Sequence, residues 1–134
     1  MNDDINRDHE RRDSIIGKCF GSDSYLNDYK TFKCLDYTAI KQLQVENFLD
    51  LEECQNSSPA IKEFIEFVSR WSACTVHGYV IGIGRPDYRV SFEGIECVDY
   101  NTLNDIDFIR EFSNMFCHAD GFEISETKAY CWYD

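Results

Sequence analysis

The spacing of apolar positions changes from helical to alternating near the middle of the chain. Over 37–48, Ile40, Leu43, Gln44, Asn47 and Phe48 share one helical face, and Asp36 stands where an N-cap belongs. Residues 49–54 read as a turn or a short helical segment. A second helix is predicted with Ser58 as cap, Pro59 at its first position and Glu63 in its early turns. Ile61, Phe64, Ile65, Val68 and Trp71 follow as one apolar stripe.

After Ser72 the period is two. Residues 75–83 are rich in β-branched and aromatic side chains and read as a strand, and Gly84-Arg85-Pro86-Asp87 is a turn. Tyr88, Val90 and Phe92 alternate with Arg89, Ser91 and Glu93, which predicts a second strand with one buried and one wet face. Gly94 marks a bulge before the strand resumes over 95–98. A loop over 101–104 ends in a capping residue, Asn104. Asp105 and Asp107 then occupy the first turn of a helix whose apolar face is Ile109, Phe112 and Phe116, with Ile106 and Met115 nearby. Ala119-Asp120-Gly121 stops it, and residues 122–125 and 128–132 form a closing hairpin around Glu126-Thr127. N-terminal helices followed by a β-β-α-β-β unit predict an α+β fold with an antiparallel sheet of about four strands.

The N-terminal third is less regular. Residues 1–13 hold five acidic side chains, three arginines and almost nothing apolar, which predicts a frayed segment or a short solvated helix. Residues 14–33 are punctuated by Gly17, Gly21, Ser22, Asp23 and Ser24, with Ile15, Ile16, Phe20, Tyr25 and Tyr29 as partial core contacts. The expected organisation is a frayed 1–13 and one globular domain over 14–134, since 134 residues leave no room for two stable cores.

Composition narrows the function. A hydrophobic fraction of 43% with 10 Phe, 8 Tyr and 2 Trp excludes a disordered acidic tail. A net charge of −12 argues against direct contact with nucleic acid or anionic lipid, both of which need clustered cations. There is no basic segment followed by an apolar run at the N-terminus, and the longest nearly apolar stretch, 79–83, is far too short to span a bilayer, so a cytoplasmic location is expected. The seven cysteines are scattered without a Cys-x-x-Cys pair. They read as reduced, buried small hydrophobes and not as a disulfide framework or zinc site.

Motifs for catalysis are thin. Cys117-His118, with Asp120 nearby, has the residue types of a thiol nucleophile and base, and supplies the alternative reading of a small cytosolic enzyme. Against it, sequence neighbours point apart, and His118 suits the negative end of a helix. Cys74 and His77 fall on opposite faces of a strand, so no metal is expected. Gly78, Gly82 and Gly84 lie in and after a strand without opening a helix, which fits close packing and not a nucleotide loop. The carboxylate pairs Glu52/Glu53, Glu93/Glu96 and Asp105/Asp107 read as solvated surface. No catalytic residue, metal or cofactor is expected.

Charge is unevenly spread. Residues 86–134 hold 11 acids against three bases, so −8 of the −12 falls there. Such a field repels itself and speeds association with a basic protein. Asp87, Glu93, Glu96, Asp120 and Glu123 are the expected contacts, with Tyr130 or Tyr133 as anchor; Tyr100 and Trp132 are further aromatic candidates.

Two groups of segments carry a resemblance. One is Gln55-Asn56-Ser57-Ser58-Pro59 leading into Ile61-Lys62-Glu63-Phe64. The other runs from Gly78-Tyr79-Val80 through Arg85-Pro86-Asp87-Tyr88-Arg89-Val90 to Glu93-Gly94-Ile95, then Ala119-Asp120-Gly121-Phe122 and Tyr130-Cys131-Trp132-Tyr133-Asp134. Over 36–134 the chain resembles small acidic bacterial immunity proteins of polymorphic or contact-dependent growth inhibition toxin systems. The resemblance implies a stoichiometric inhibitor that binds a cognate toxin domain in the cytoplasm, and many such toxins are basic nucleases. An acidic interaction domain with no toxin partner is the remaining alternative.

Overall fold

The computed structural model describes residues 4–21 and 29–134. Tyr25, expected as a core contact, lies outside the described residues, as do Ser22, Asp23 and Ser24. The fold is α+β. Strands β1 (Tyr29–Leu35), β2 (Thr75–Ile81), β3 (Arg89–Cys97), β4 (Gly121–Ile124) and β5 (Ala129–Trp132) form an antiparallel sheet in the order β1-β2-β3-β5-β4. The helices are α1 (His9–Ile16), α2 (Tyr37–Val45), α3 (Ile61–Arg70), α4 (Tyr100–Leu103) and α5 (Ile106–Phe116).

The sheet therefore has five strands where about four were expected. The additional one, β1, falls inside the stretch read as irregular. Its alternation is broken by a register shift between Phe32 and Leu35, where Cys34 adopts φ 62°, so its two buried residues stand three apart and not two.

Local signals explain most element starts. The Asp36 carboxylate accepts a 2.9 Å bond from the Ala39 N–H and caps α2 as expected. Helix α3 begins two residues later than Pro59: Ala60 is the N-cap, and its N–H donates to Glu63 Oε1 at 3.0 Å. The Ser58 hydroxyl instead accepts from the Gln55 N–H at 2.8 Å and donates to the Pro59 carbonyl at 2.9 Å, closing the preceding turn. Asp105, not Asn104, caps α5 by accepting from the Asp107 N–H at 2.9 Å. The expected loop 101–104 is largely the short helix α4, capped by Asp99.

The helices cover one face of the sheet. Phe64 of α3 sits edge-on to Phe92 of β3 at 5.9 Å and stacks on Phe116 of α5 at 5.8 Å; Phe67 meets Phe108, Phe112 and Phe116 within 6.0 Å. Ile16, Ile40 and Leu43 join the same core. Burying these rings supplies the main driving force, roughly 25 cal/mol per Å² of apolar surface.

A frayed segment or a short solvated helix was expected over 1–13; residues 4–13 are docked, and α1 begins at His9. The Asn6 N–H donates to the Asn47 carbonyl at 2.8 Å, the Tyr88 hydroxyl donates to the Asn6 carbonyl at 3.0 Å, and Arg11 makes two 2.8 Å bonds to Glu46. Arg12 is fully buried, donating to the Ile81 carbonyl at 2.9 Å with its guanidinium 4.7 Å from the Tyr88 ring centre. Hydropathy hides this attachment because an arginine performs it.

Candidate interaction face

The sheet face opposite the helices is where chemistry collects. On β3 the residues that alternate away from the core are Arg89, Ser91 and, beyond the bulge, Glu96. The bulge arises because His77 pairs with Gly94 but Gly78 pairs with Phe92, leaving Glu93 as the extra residue. This face is not uniformly wet, as alternation had suggested: Ser91 is fully buried, and Glu93 and Glu96 are half-buried. Side chains from residues 50–58 reach it. The Ser91 hydroxyl donates to Glu53 at 3.1 Å, Arg89 donates to the Tyr79 hydroxyl at 2.8 Å, and the Tyr79 hydroxyl donates to Gln55 Oε1 at 2.8 Å. Burial pushes the Glu53 carboxyl up, partly offset by Ser91 and Arg89.

Farther along, register places Glu96, Tyr130 and Glu123 directly opposite one another across β3, β5 and β4, with Thr75 of β2 completing the row. The neighbouring row is His77, Gly94, Trp132 and Gly121. A Cβ on Gly94 would lie 1.9 Å from the Cys131 carbonyl oxygen and 2.6 Å from His77 Nε2, so the glycine makes room for the imidazole. That ring stacks on Tyr130 at 5.2 Å with planes 9° apart. Burial lowers the His77 pKa to about 4, so the ring is neutral at pH 7, and its Nε2 is buried without a hydrogen-bond partner.

Lys33, Cys34, Thr75, His77, Glu96 and Tyr130 line a depression of about 240 Å³ beside this row. Lys128 Nζ lies 3.8 Å from Glu123 Oε1 and 5.3 Å from the Tyr130 ring centre. Glu93 adjoins the C-terminal residue: burial first and the Asp134 charge second raise its carboxyl above the usual range. Trp132 is 36% exposed on this face, and Tyr29 adds a partly exposed ring at its β1 side, packed 5.2 Å from Tyr79.

Four of the expected contacts, Glu93, Glu96, Glu123 and Tyr130, are thus brought onto one face. The other three are not. Asp87 lies in the β2–β3 connection, held by Arg85 at 2.9 Å and by Arg89. Asp120 sits between α5 and β4, accepting the Asp134 N–H at 2.8 Å. Tyr133 is completely buried and provides no surface anchor. Its N–H donates to the Glu93 carbonyl at 2.8 Å, extending the β3–β5 ladder, so its side chain alternates to the helical side, opposite Trp132. Tyr100 is well exposed on α4.

In the sequence His77 reads only as a metal ligand; its place beside Tyr130 follows from strand order, which periodicity does not encode. Cys74 is in the core while His77 is on the opposite face, and among the described residues no group of three or more His, Cys, Asp or Glu side chains is arranged to hold a metal. His118 and Cys117 are both exposed. His118 borders an open 560 Å³ depression with Glu63, Arg70 and Glu111, and Cys117 does not line it. Among the described residues no helix is long and apolar enough to cross a membrane. No protein-family model, no curated protein and no solved structure matches this chain.

Proposed function

We propose that this chain is a non-enzymatic binding protein that neutralises a basic protein partner through the sheet face opposite its helices. The observation that carries the reading is the row Glu96–Tyr130–Glu123, with Glu93 and Trp132 beside it: carboxylates flanking aromatic rings on a surface that no helix of the core occupies. Aromatic side chains anchor interfaces, and surrounding carboxylates select a cationic partner and speed its approach. The resemblance to immunity proteins makes that partner a cognate toxin domain, a nuclease whose nucleic-acid site the acidic face would cover in the cytoplasm.

The test is co-expression with the product of the adjacent gene. A stable complex and rescue from growth arrest are expected for the natural chain, and both should be lost in the Glu96→Lys/Glu123→Lys double variant. Rescue that is indifferent to the double reversal, in a variant that folds normally, would refute the assigned face.

A further inference from the structure

A second feature, independent of the interaction face, lies inside the core. Cys74, Cys97 and Cys131 are buried free thiols. Thr75 pairs with Glu96 and Val76 with Ile95, so Cys74, just before β2, stands directly across from Cys97, the last residue of β3. Antiparallel neighbours have Cα atoms about 4.5–5.5 Å apart, inside the roughly 4.4–6.8 Å span that a disulfide accepts. Both side chains are buried in the core, at 0% and 1% exposure.

We propose that Cys74 and Cys97 form a redox-active dithiol at which a small hydroperoxide makes a reversible disulfide. The roles of the two sulfurs differ. Interaction with the Cys74 thiol holds Cys97 below the usual thiol range, whereas the same interaction and burial push Cys74 up. Cys97 is therefore the more acidic sulfur and the nucleophile, and Cys74 the resolving thiol. The Cys97 thiolate attacks hydrogen peroxide, the O–O bond breaks, and hydroxide leaves to take up a proton as water, giving a sulfenic acid. The Cys74 sulfur then attacks that sulfur, the S–S bond forms, and the sulfenic hydroxyl leaves as water with the Cys74 proton. In balance, one dithiol and one peroxide give one disulfide and two waters. Burial closes the pair to a bulky disulfide such as oxidised glutathione, which leaves a small peroxide as the oxidant class. The bond would join the start of β2 to the end of β3, next to Glu96.

The competing thiols are Cys19, whose Sγ lies 3.5 Å from the Cys34 carbonyl, and the exposed Cys34, Cys54 and Cys117. A variant with these four replaced by Ser is treated with hydrogen peroxide and mapped by mass spectrometry without reduction. The unmodified chain is mapped in parallel, in case the variant folds poorly. The expected result is a Cys74–Cys97 linked peptide, removed by dithiothreitol, with a higher Tm for the oxidised form. Adding Cys97→Ser to the variant should abolish the link. The proposal is overturned if Cys97 couples to Cys131, if it passes to a sulfinic acid unlinked, or if all three buried thiols stay reduced while free glutathione in the same tube is oxidised.

Discussion

Burial of the His77 ring governs its protonation. Its folded pKa of about 4 lies below the ordinary 6.5, so folding selects the neutral ring. The stability tied to that ring is complete above pH 6.5 and is lost as pH falls from 6.5 through about 4, by up to about 3 kcal/mol. Urea unfolding between pH 7 and 4 should therefore show a steeper loss for the natural chain than for His77→Phe, which keeps the stack on Tyr130 without a titrating group. Parallel curves would contradict this. Gly94 beneath it tolerates no side chain: Gly94→Ala puts a methyl carbon 1.9 Å from the backbone oxygen of Cys131 and should cost about 1–3 kcal/mol or more by displacing β5. Equilibrium denaturation of that variant measures the effect.

At the scale of elements, α1 and the segment before it are held by Asn6, Arg11 and Ile16 and by one buried arginine, Arg12. Removing the Arg12 guanidinium strands the Ile81 carbonyl and empties the space against Tyr88, so Arg12→Ala should destabilise by about 2–3 kcal/mol, read by urea titration. Little change would mean that residues 4–13 add nothing to the core. This attachment also shows what the sequence leaves unsaid. Helices α2, α3 and α5 were legible because amphipathic stripes act within a few residues of one another, although of the expected caps only Asp36 is the one observed, and the closing hairpin was legible from alternation. Strand β1 was not, because a register shift at Cys34 breaks its period. The burial of Ser91 and the burial of Tyr133 were equally hidden, since both depend on which segments lie alongside: residues 50–58 for Ser91, and the continuation of the β3–β5 ladder for Tyr133. The candidate face itself was half legible. Charge clustering pointed to Glu93, Glu96 and Glu123, but only strand order sets Glu96 and Glu123 on either side of Tyr130 and leaves Asp87 and Asp120 elsewhere.

For the whole molecule, a net charge of −12 is a long-range property, and its value to a binding protein is kinetic. At ~0.15 M salt the field reaches only about 8 Å, so steering must fade as ions are added, while the contacts of the bound state change less. The most direct measurement is the association rate with the proposed basic partner from low to high ionic strength, for the natural chain and for Glu96→Lys/Glu123→Lys. The account predicts a rate that falls steeply with salt in the natural chain, with a lower and flatter dependence in the double variant. A rate that ignores ionic strength, or a double variant that matches the natural chain throughout, would contradict it.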